Sequence, residues 1–407
     1  MNFIFISPHF PDHYYRFCAA LKKNGCKVFG IDDVPYDQLD PKVKQSLDEY
    51  YYVHYLENYE EKYRAVAYFI SKYGRIDFIE SNNEYWLESD AKLREDFNIK
   101  SGPQTEQIRY FRHKSAMKEK YALAGVKTAR YQLMNSPEDA YNFVQKVGYP
   151  IIAKPDDGVG SSATFRLSNK EQLDSFIEKH QKEFPNHLYI LEEFIDGELI
   201  SLDGVCDNTG KIVFPSHHVF PLPVMDIVVE YTDVYFYTSK SIPQDLLDAA
   251  QAILYAFEAK SRFFHFEFFR LTKDSSLGKK GDIYGLEVNM RTPGGYIPDM
   301  IDFAYGTDIF QVWADTICFN ENRHVSNYPK HHCAYIGRRN DGKYAHSLET
   351  IKKRYAPNYK WDFVNPGILA DGMGDYFLMA NFDTIDEVNE FFSYCLERIT
   401  PSEFKKM

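Results

Sequence analysis

Short apolar runs alternate with amphipathic stretches through the first hundred residues. FIFIS, closing at Ser7, reads as a buried strand, Tyr14 to Asn24 as a helix, and CKVFGID after Gly25 as the next strand. This βαβ rhythm continues with a helix near Tyr63 to Lys72, a strand at RIDFIES, a helix around Ala91 to Phe97 and the turn Ser101-Gly102-Pro103. Residues 1–112 are therefore expected to form a small doubly wound domain.

The style then changes. A Lys-rich helix ends at Gly125, and a short strand starts at about Thr128. Ser136, followed by Pro137, Glu138 and Asp139, predicts a helix start, since the hydroxyl accepts from a free amide and Pro suits the first helical position. YPIIAKP, ATFRL and LYILEEF read as strands, and Ser168 with Glu171 as a capping box opening a helix to about Gln181. Residues 113–195 thus make a small α/β unit. From Leu199 to about Phe319 the pattern is extended and aromatic, with one helix near Gln244 to Ala259, which predicts a larger, mostly antiparallel sheet over residues 196–320. The tail, residues 321–407, carries a strand near Cys333 to Arg338, a helix from Ser347, a strand at YFLMANF and a helix capped by Thr384 and Glu387, and is expected to pack on the rest as an extension.

Composition narrows the function classes. Of 407 residues, 44% are hydrophobic and 16% aromatic, enough for several cores and against large-scale disorder. With 47 basic and 59 acidic residues the net charge is -12, and no basic stripe tracks a phosphate backbone, so nucleic acid is a poor partner. Six scattered cysteines without a CxxC read as reduced thiols and favour the cytoplasm. The first apolar run is broken at Pro8 and lacks a basic leader, so it reads as a strand rather than a signal peptide; no run approaches the roughly 20 residues of a membrane span.

Three segments carry chemistry. KPDDGVGSSATFRL sets Lys154 at a strand end before a loop with Gly158, Gly160, Ser161 and Ser162, whose amides can turn toward phosphate oxygens; a plain hairpin with a Gly-rich turn is the alternative. LEEFIDGELISLDG leaves the small sheet for the large one and can offer backbone groups, with Glu192 or Glu198, to an adenine edge; taken by itself it reads first as a solvated acidic strand edge. FFHFEFFRL and YGLEVNMR form a hairpin across the loop TKDSSLGKKGD. Alternation sets Glu287, Asn289 and Arg291 on one face, with Glu267 among phenylalanines on the partner strand. Two carboxylates and an amide oxygen suit a hard cation such as Mg2+, whereas a buried Glu–Arg pair leaves Asn289 and the second carboxylate unexplained.

In order and approximate spacing, Lys114, Lys154 with its loop, the EEFIDGE hinge, Glu267 and the Glu287-x-Asn289-x-Arg291 triplet resemble the ATP-grasp superfamily, in particular its carboxylate-amine ligases, over roughly residues 1–320. The resemblance implies an α/β fold with a doubly wound pre-ATP-grasp domain, a small α/β lid and a larger antiparallel sheet. It implies that Lys114 and Lys154 contact the phosphates of ATP under a loop containing Gly160, Ser161 and Ser162. Glu192, Glu193, Phe194 and Ile195 would line the adenine, with the Glu193 carbonyl and the Ile195 amide as its backbone partners. Glu198 is the acid nearest to Leu199, where relatives carry a ribose-binding carboxylate. Glu267, Glu287 and Asn289 would hold Mg2+, or alternatively Mn2+, and Arg291 would face the transferring phosphoryl group.

The activity implied is ADP-forming ligation of a small carboxylate to an amine through an acyl phosphate. The other two readings are an ATP-grasp kinase acting on a hydroxyl and a silent ATP-binding regulator. Strand-end loops of doubly wound sheets make His9, Asn83 and Glu84 substrate-site candidates. The clusters His217-His218 and His331-His332-Cys333 are not expected to hold zinc, because neighbours on a strand point oppositely. Small-molecule substrates and a homodimer are the expected partners.

Overall fold

Three sheets organise the residues described by the computed structural model, which are 1–158, 163–221, 232–323 and 328–399. The first contains β1 (Asn2–Ile6), β2 (Lys27–Asp32), β3 (Glu49–Tyr52) and β4 (Phe78–Glu80), all parallel, in the order β3-β2-β1-β4. Both faces of β1 and β2 are covered, which is why these two strands are mostly apolar without alternation. Phe3, Phe5 and Val28 pack toward the helices Tyr15–Lys23 and Ile309–Phe319, while Ile4, Ile6, Phe29 and Ile31 pack toward Tyr59–Tyr73 and Leu87–Asp96. Strand order reverses at β1 and β4, so the loops after them flank a crevice. The Tyr14 hydroxyl closes its floor by donating to the Asn82 carbonyl at 2.9 Å.

The second sheet is antiparallel, with β5 (Tyr131–Met134), β6 (Ile151–Pro155), β7 (Phe165–Leu167) and β8 (Tyr189–Glu193) in the order β5-β8-β6-β7. The helices Pro137–Val147 and Lys170–Glu183 cover one face through Ala140, Phe143, Leu173 and Phe176. The other face, carrying Lys154 and Glu192, is left for the cleft. Ser136 caps its helix as expected, in a reciprocal box with Asp139. The Ser168 cap is corrected by one residue. Asn169 is the N-cap, its side chain accepting from the Gln172 amide at 2.9 Å, while the Ser168 amide donates to the Gln172 side chain at 2.7 Å. Asn caps as well as Ser, so composition alone does not choose between adjacent positions.

The third sheet is antiparallel and contains β9 (Gly197–Cys206), β10 (Ile212–Phe220), β11 (Val234–Ser239), β12 (Arg262–Leu271), β13 (Ile283–Asn289), β14 (His332–Arg338), β15 (Tyr359–Val364) and β16 (Tyr376–Phe382). Their order is β13-β12-β9-β10-β11-β14-β16-β15, so the tail strands extend the same sheet. Its helix content corrects the sequence reading. Besides Gln244–Ala256, the helices Ile297–Tyr305 and Ile309–Phe319 lie between Leu199 and Phe319. Both are largely apolar, and their few polar residues are turned to the first domain, Asp299 and Asp302 to Arg16 and Gln311 and Asp315 to Asn24, so neither shows the solvated stripe that marks a surface helix. The tail also carries β15 and the helix Gly367–Met373, which the hydrophobic pattern had not marked. Among the described residues no helix is long and apolar enough to cross a membrane.

One face of the third sheet buries Ile200, Leu202, Phe264, Phe266, Phe268 and Val288 under the helices Gln244–Ala256 and Lys114–Leu123. The second of these helices is seated by Tyr121 on Gly285, where an added Cβ would lie 2.3 Å from the Tyr121 ring. Gly285→Ala should therefore destabilise the protein by about 1–3 kcal/mol, the cost of overpacking, read as a lowered urea midpoint at unchanged slope. A variant as stable as wild type would show this contact to be slack.

Candidate active site at the hairpin of the large sheet

The opposite face of the third sheet is polar at its centre and apolar beyond. Along β12 its residues are Phe263, His265, Glu267, Phe269 and Leu271; β9 adds Leu199, Ser201 and Asp203, and β13 adds Tyr284, Glu287 and Asn289. A bulge decides the geometry. Phe268 pairs with Gly285 but Glu267 with Glu287, leaving Leu286 as the extra residue of β13. That residue shifts the alternation so that Glu287 lies directly across from Glu267 and Asn289 across from His265. Two carboxylates thus meet on adjacent strands, an arrangement that repels unless cations intervene.

Lysines from two other elements approach this pair. On the helix Lys114–Leu123, Lys114 and Lys118 are one turn apart and both buried. Lys114 Nζ stands 3.6 Å from Glu287 Oε1 and donates to the Gly158 carbonyl at 3.1 Å. Lys118 and Lys154 clasp Glu192 from two sides, at 2.6 and 2.7 Å. Asp156, just past β6, ties the start of the lysine helix to the end of that strand: its carboxylate accepts from the Ser115 amide at 2.7 Å and hydroxyl at 3.0 Å, and its carbonyl from the Lys114 amide at 2.8 Å.

Protonation follows these contacts. Burial raises the Glu192 carboxyl, but Lys118 and Lys154 outweigh it and bring it to about 2. Burial lowers Lys154, and Glu192 and Glu287 more than restore it, so it stands above its ordinary value. Lys118 is lowered, burial exceeding the pull of Glu192. Burial pushes the Glu287 carboxyl up, offset in part by Lys114 and reinforced by Glu267. Glu267 is lowered despite burial because His265 lies beside it, and Asp203 brings His265 to about 10 against its own desolvation.

Arg291, just beyond β13, meets the first domain. Its Nε and Nη2 both donate to Glu84 Oε2, at 3.0 and 2.7 Å. Glu84 follows β4, so a loop of the doubly wound sheet reaches the triplet of the large one. Asn83 caps the short turn there by accepting from the Tyr85 amide, and His9 pairs with Asp32. Asn82 between them is buried at a φ of +52°, and among the described residues neither of its amide atoms has a hydrogen-bond partner.

The hinge residues are divided by their strand positions. Glu192 faces the lysines, whereas Glu193 turns the other way to Arg130, whose Nε donates to Oε2 at 2.7 Å. Phe194 lies under the Arg166 guanidinium, 4.3 Å from the ring centroid, and Ile195 packs with Ala129, Leu271 and Tyr284 into an apolar floor beside the carboxylates. Glu198 is set apart. It pairs with Arg270 in the register that places Ser201 beside Glu267, an odd number of residues away, so it lies on the opposite face of the sheet. Leu199 occupies the cleft side instead, and the fold does not bring Glu198 to the other candidates. Gly160, Ser161 and Ser162 lie outside the described residues.

Lys118, Asp156, Asp203 and His265 were not among the residues singled out from sequence. Each had a signal: Lys118 follows Lys114 by one helical turn, Asp156 lies in KPDD, and His265 shares a strand face with Glu267. Of the histidine clusters, His217 turns to the Ser241 carbonyl while His218 binds Asp203, and His331 pairs with Asp383. Among the described residues no group of three or more His, Cys, Asp or Glu is placed to hold a metal ion. Glu267 and Glu287 with the Asn289 amide are therefore a partial donor set, fitting an ion that keeps waters and takes phosphate oxygens.

Residues 147–298 match the ATP-grasp domain family. The L-arginine-specific L-amino acid ligase of Bacillus subtilis is 25% identical over 247 residues, 60% of this chain and 58% of that protein. The chain carries an ATP-grasp domain over residues 147–298. Its match spans less than two thirds of that relative's length. Whole-chain likeness comes from solved structures. An L-amino acid ligase from Bacillus licheniformis superposes with a TM-score of 0.67 at 15% identity, over 98% of this chain and 99% of that one. The N5-carboxyaminoimidazole synthetase of Staphylococcus aureus, solved with ADP, gives 0.66 at 14% identity, over 96% and 95%. At such identities these structures establish the ATP-grasp fold alone.

The buried Glu192 clasp has a pH signature. Its folded value lies below the ordinary 4.5, so its stabilisation is present above about pH 4.5 and is lost as pH falls toward about 2. Melting temperatures measured from pH 6 to pH 3 should fall less steeply for Glu192→Gln than for wild type. Parallel curves would contradict the clasp.

Proposed function

We propose that this ATP-grasp protein is an ADP-forming ligase that activates a small carboxylate as its acyl phosphate and joins it to an amine. The observation that carries this reading is the convergence of Glu267 and Glu287 with Lys114, Lys118 and Lys154 around one gap between the second and third sheets. Pure nucleotide binding does not require a carboxylate pair together with an arginine at its rim.

Charge supports it. Lys114, Lys118, Lys154, Arg291 and His265 face Glu84, Glu192, Glu267, Glu287 and Asp203, with Asp156 beside them, so cations and anions are close to balance. A site balanced in this way suits a ligand that arrives nearly neutral, such as ATP with two divalent cations. Mg2+, held by Glu267, Glu287 and Asn289, would supply electrostatic stabilisation of the phosphates.

The remaining roles fall to the chain itself. The apolar floor of Ile195, Leu271 and Tyr284 takes the adenine, with the Glu193 carbonyl and the Ile195 amide at its edge. Lys114 and Lys154 neutralise phosphate oxygens. Arg291, held by Glu84 at the crevice of the first domain, stabilises the equatorial oxygens of the transferring group. A substrate carboxylate oxygen attacks the γ-phosphorus and the bond to the ADP oxygen breaks. The neutral amine then attacks the acyl carbon, the acyl–oxygen bond breaks, phosphate departs, and the amine nitrogen sheds its proton. Closure of the second sheet over the gap keeps water from the acyl phosphate.

The loops after β1 and β4, with His9, Asn83 and Glu84, are the substrate-choosing elements in this reading. The enzyme acts in the cytoplasm as a homodimer on small molecules. One of the structural neighbours, a Hydrogenobacter thermophilus biotin carboxylase domain, was solved as a dimer.

A panel of amino acids and small carboxylates, assayed with ATP and hydroxylamine, should yield ADP and a hydroxamate in equal amounts for the true acid. ADP with a stable phosphoester and no hydroxamate would instead mark a hydroxyl kinase. Glu287→Gln should lower kcat by at least about a hundredfold with an unchanged circular dichroism spectrum; retained turnover would contradict its assignment.

A further inference from the structure

Behind Glu267 lies a buried polar row that the reaction above does not use. Asp203 on β9 is wholly buried, and a lone carboxylate there would be expelled or neutralised. It is instead bound on both oxygens. His218 Nδ1 lies 2.7 Å from Oδ2, which also accepts from the Ser201 hydroxyl at 2.6 Å, and His265 Nδ1 bonds Oδ1. The His265 ring turns its other nitrogen outward, with Nε2 3.3 Å from Glu267 Oε1. Register makes the row continuous, since Asp203 pairs with His265 on β12 and Ser201 pairs with His218 on β10 and with Glu267 on β12.

A purely structural ion cluster would close on itself within the core. This one opens at one end onto a carboxylate of the candidate cation site. We propose that Asp203 and His265 are positioning residues for that site: Asp203 fixes the rotation of the His265 ring, and His265 holds one oxygen of Glu267, leaving Oε2 for the cation. The arrangement follows the general rule that a ligating carboxylate is itself oriented by a hydrogen-bond donor, which is in turn anchored. The inference rests on the reading of Glu267 and Glu287 as cation ligands and concerns how Glu267 is held there.

The test is Mn2+ binding to the full chain with a non-hydrolysable ATP analogue, followed by the electron paramagnetic resonance of free Mn2+. Asp203→Asn preserves shape and removes the charge, and should weaken Mn2+ about 10- to 100-fold while metal-free analogue binding changes little; the melting temperature falls because the buried pair with His265 loses one charge. His265→Gln should weaken it to a similar degree. The double variant should be no worse than either single one, because both act through the same contact. Unchanged Mn2+ affinity in Asp203→Asn, or additive losses in the double variant, would overturn the positioning role. If Asp203→Asn yields too little folded protein, His265→Gln alone decides by the same threshold. Failure of the wild-type chain to take up Mn2+ would instead remove the cation site itself, and this inference with it.

Discussion

Two glutamates placed face to face on adjacent strands are the constraint around which this fold is arranged. Glu267 and Glu287 are paired by register, not by the flexibility of long side chains, and the bulge at Leu286 sets that register. Bringing like charges together within a folded protein is unfavourable, so neighbouring elements must supply compensation. The lysine helix answers Glu287 through Lys114, and the Asp203–His265 pair answers Glu267. What holds these answers in place is ordinary packing: Tyr121 seated on Gly285, and Asp156 binding the helix start to β6.

The second sheet serves the same constraint from the other side of the gap. Its buried face is a conventional apolar layer under two helices, whereas its cleft face holds Lys154 and Glu192. Glu192 clasps Lys118 as well, so one buried carboxylate links the sheet to the lysine helix beneath it. In the proposed reading, a phosphate beside Lys154 would compete with Glu192 for its ammonium group. Arg291 and Glu84 make the corresponding link to the first domain.

Much of this was legible in the sequence wherever a local rule spoke with one voice. The β1–β2 rhythm, the Ser136 and Thr384 caps and the hairpin bearing Glu267 and Glu287 follow from periodicity, capping chemistry and alternation. Failures came where tertiary context removed the signal. The helices Ile297–Tyr305 and Ile309–Phe319 are buried on both sides, and their short polar edges face Arg16 and Asn24 rather than solvent. Glu198 looked like a cleft residue from its place after the hinge, but strand parity sends it to the opposite face, a matter of one residue that composition does not encode. Lys118 and His265 went unremarked because their partners, Glu192 and Asp203, are distant in sequence and meet them only across strands and between sheets.

The central claim is that carboxylates from one hairpin and lysines from two other elements address a single nucleotide. It is tested most directly by a crystal structure of the chain with Mn2+ and a non-hydrolysable ATP analogue, using the anomalous signal of the metal. The account predicts manganese peaks between Glu267 and Glu287, with the triphosphate running past Lys114 and Lys154. Metal or triphosphate bound away from that gap would contradict it.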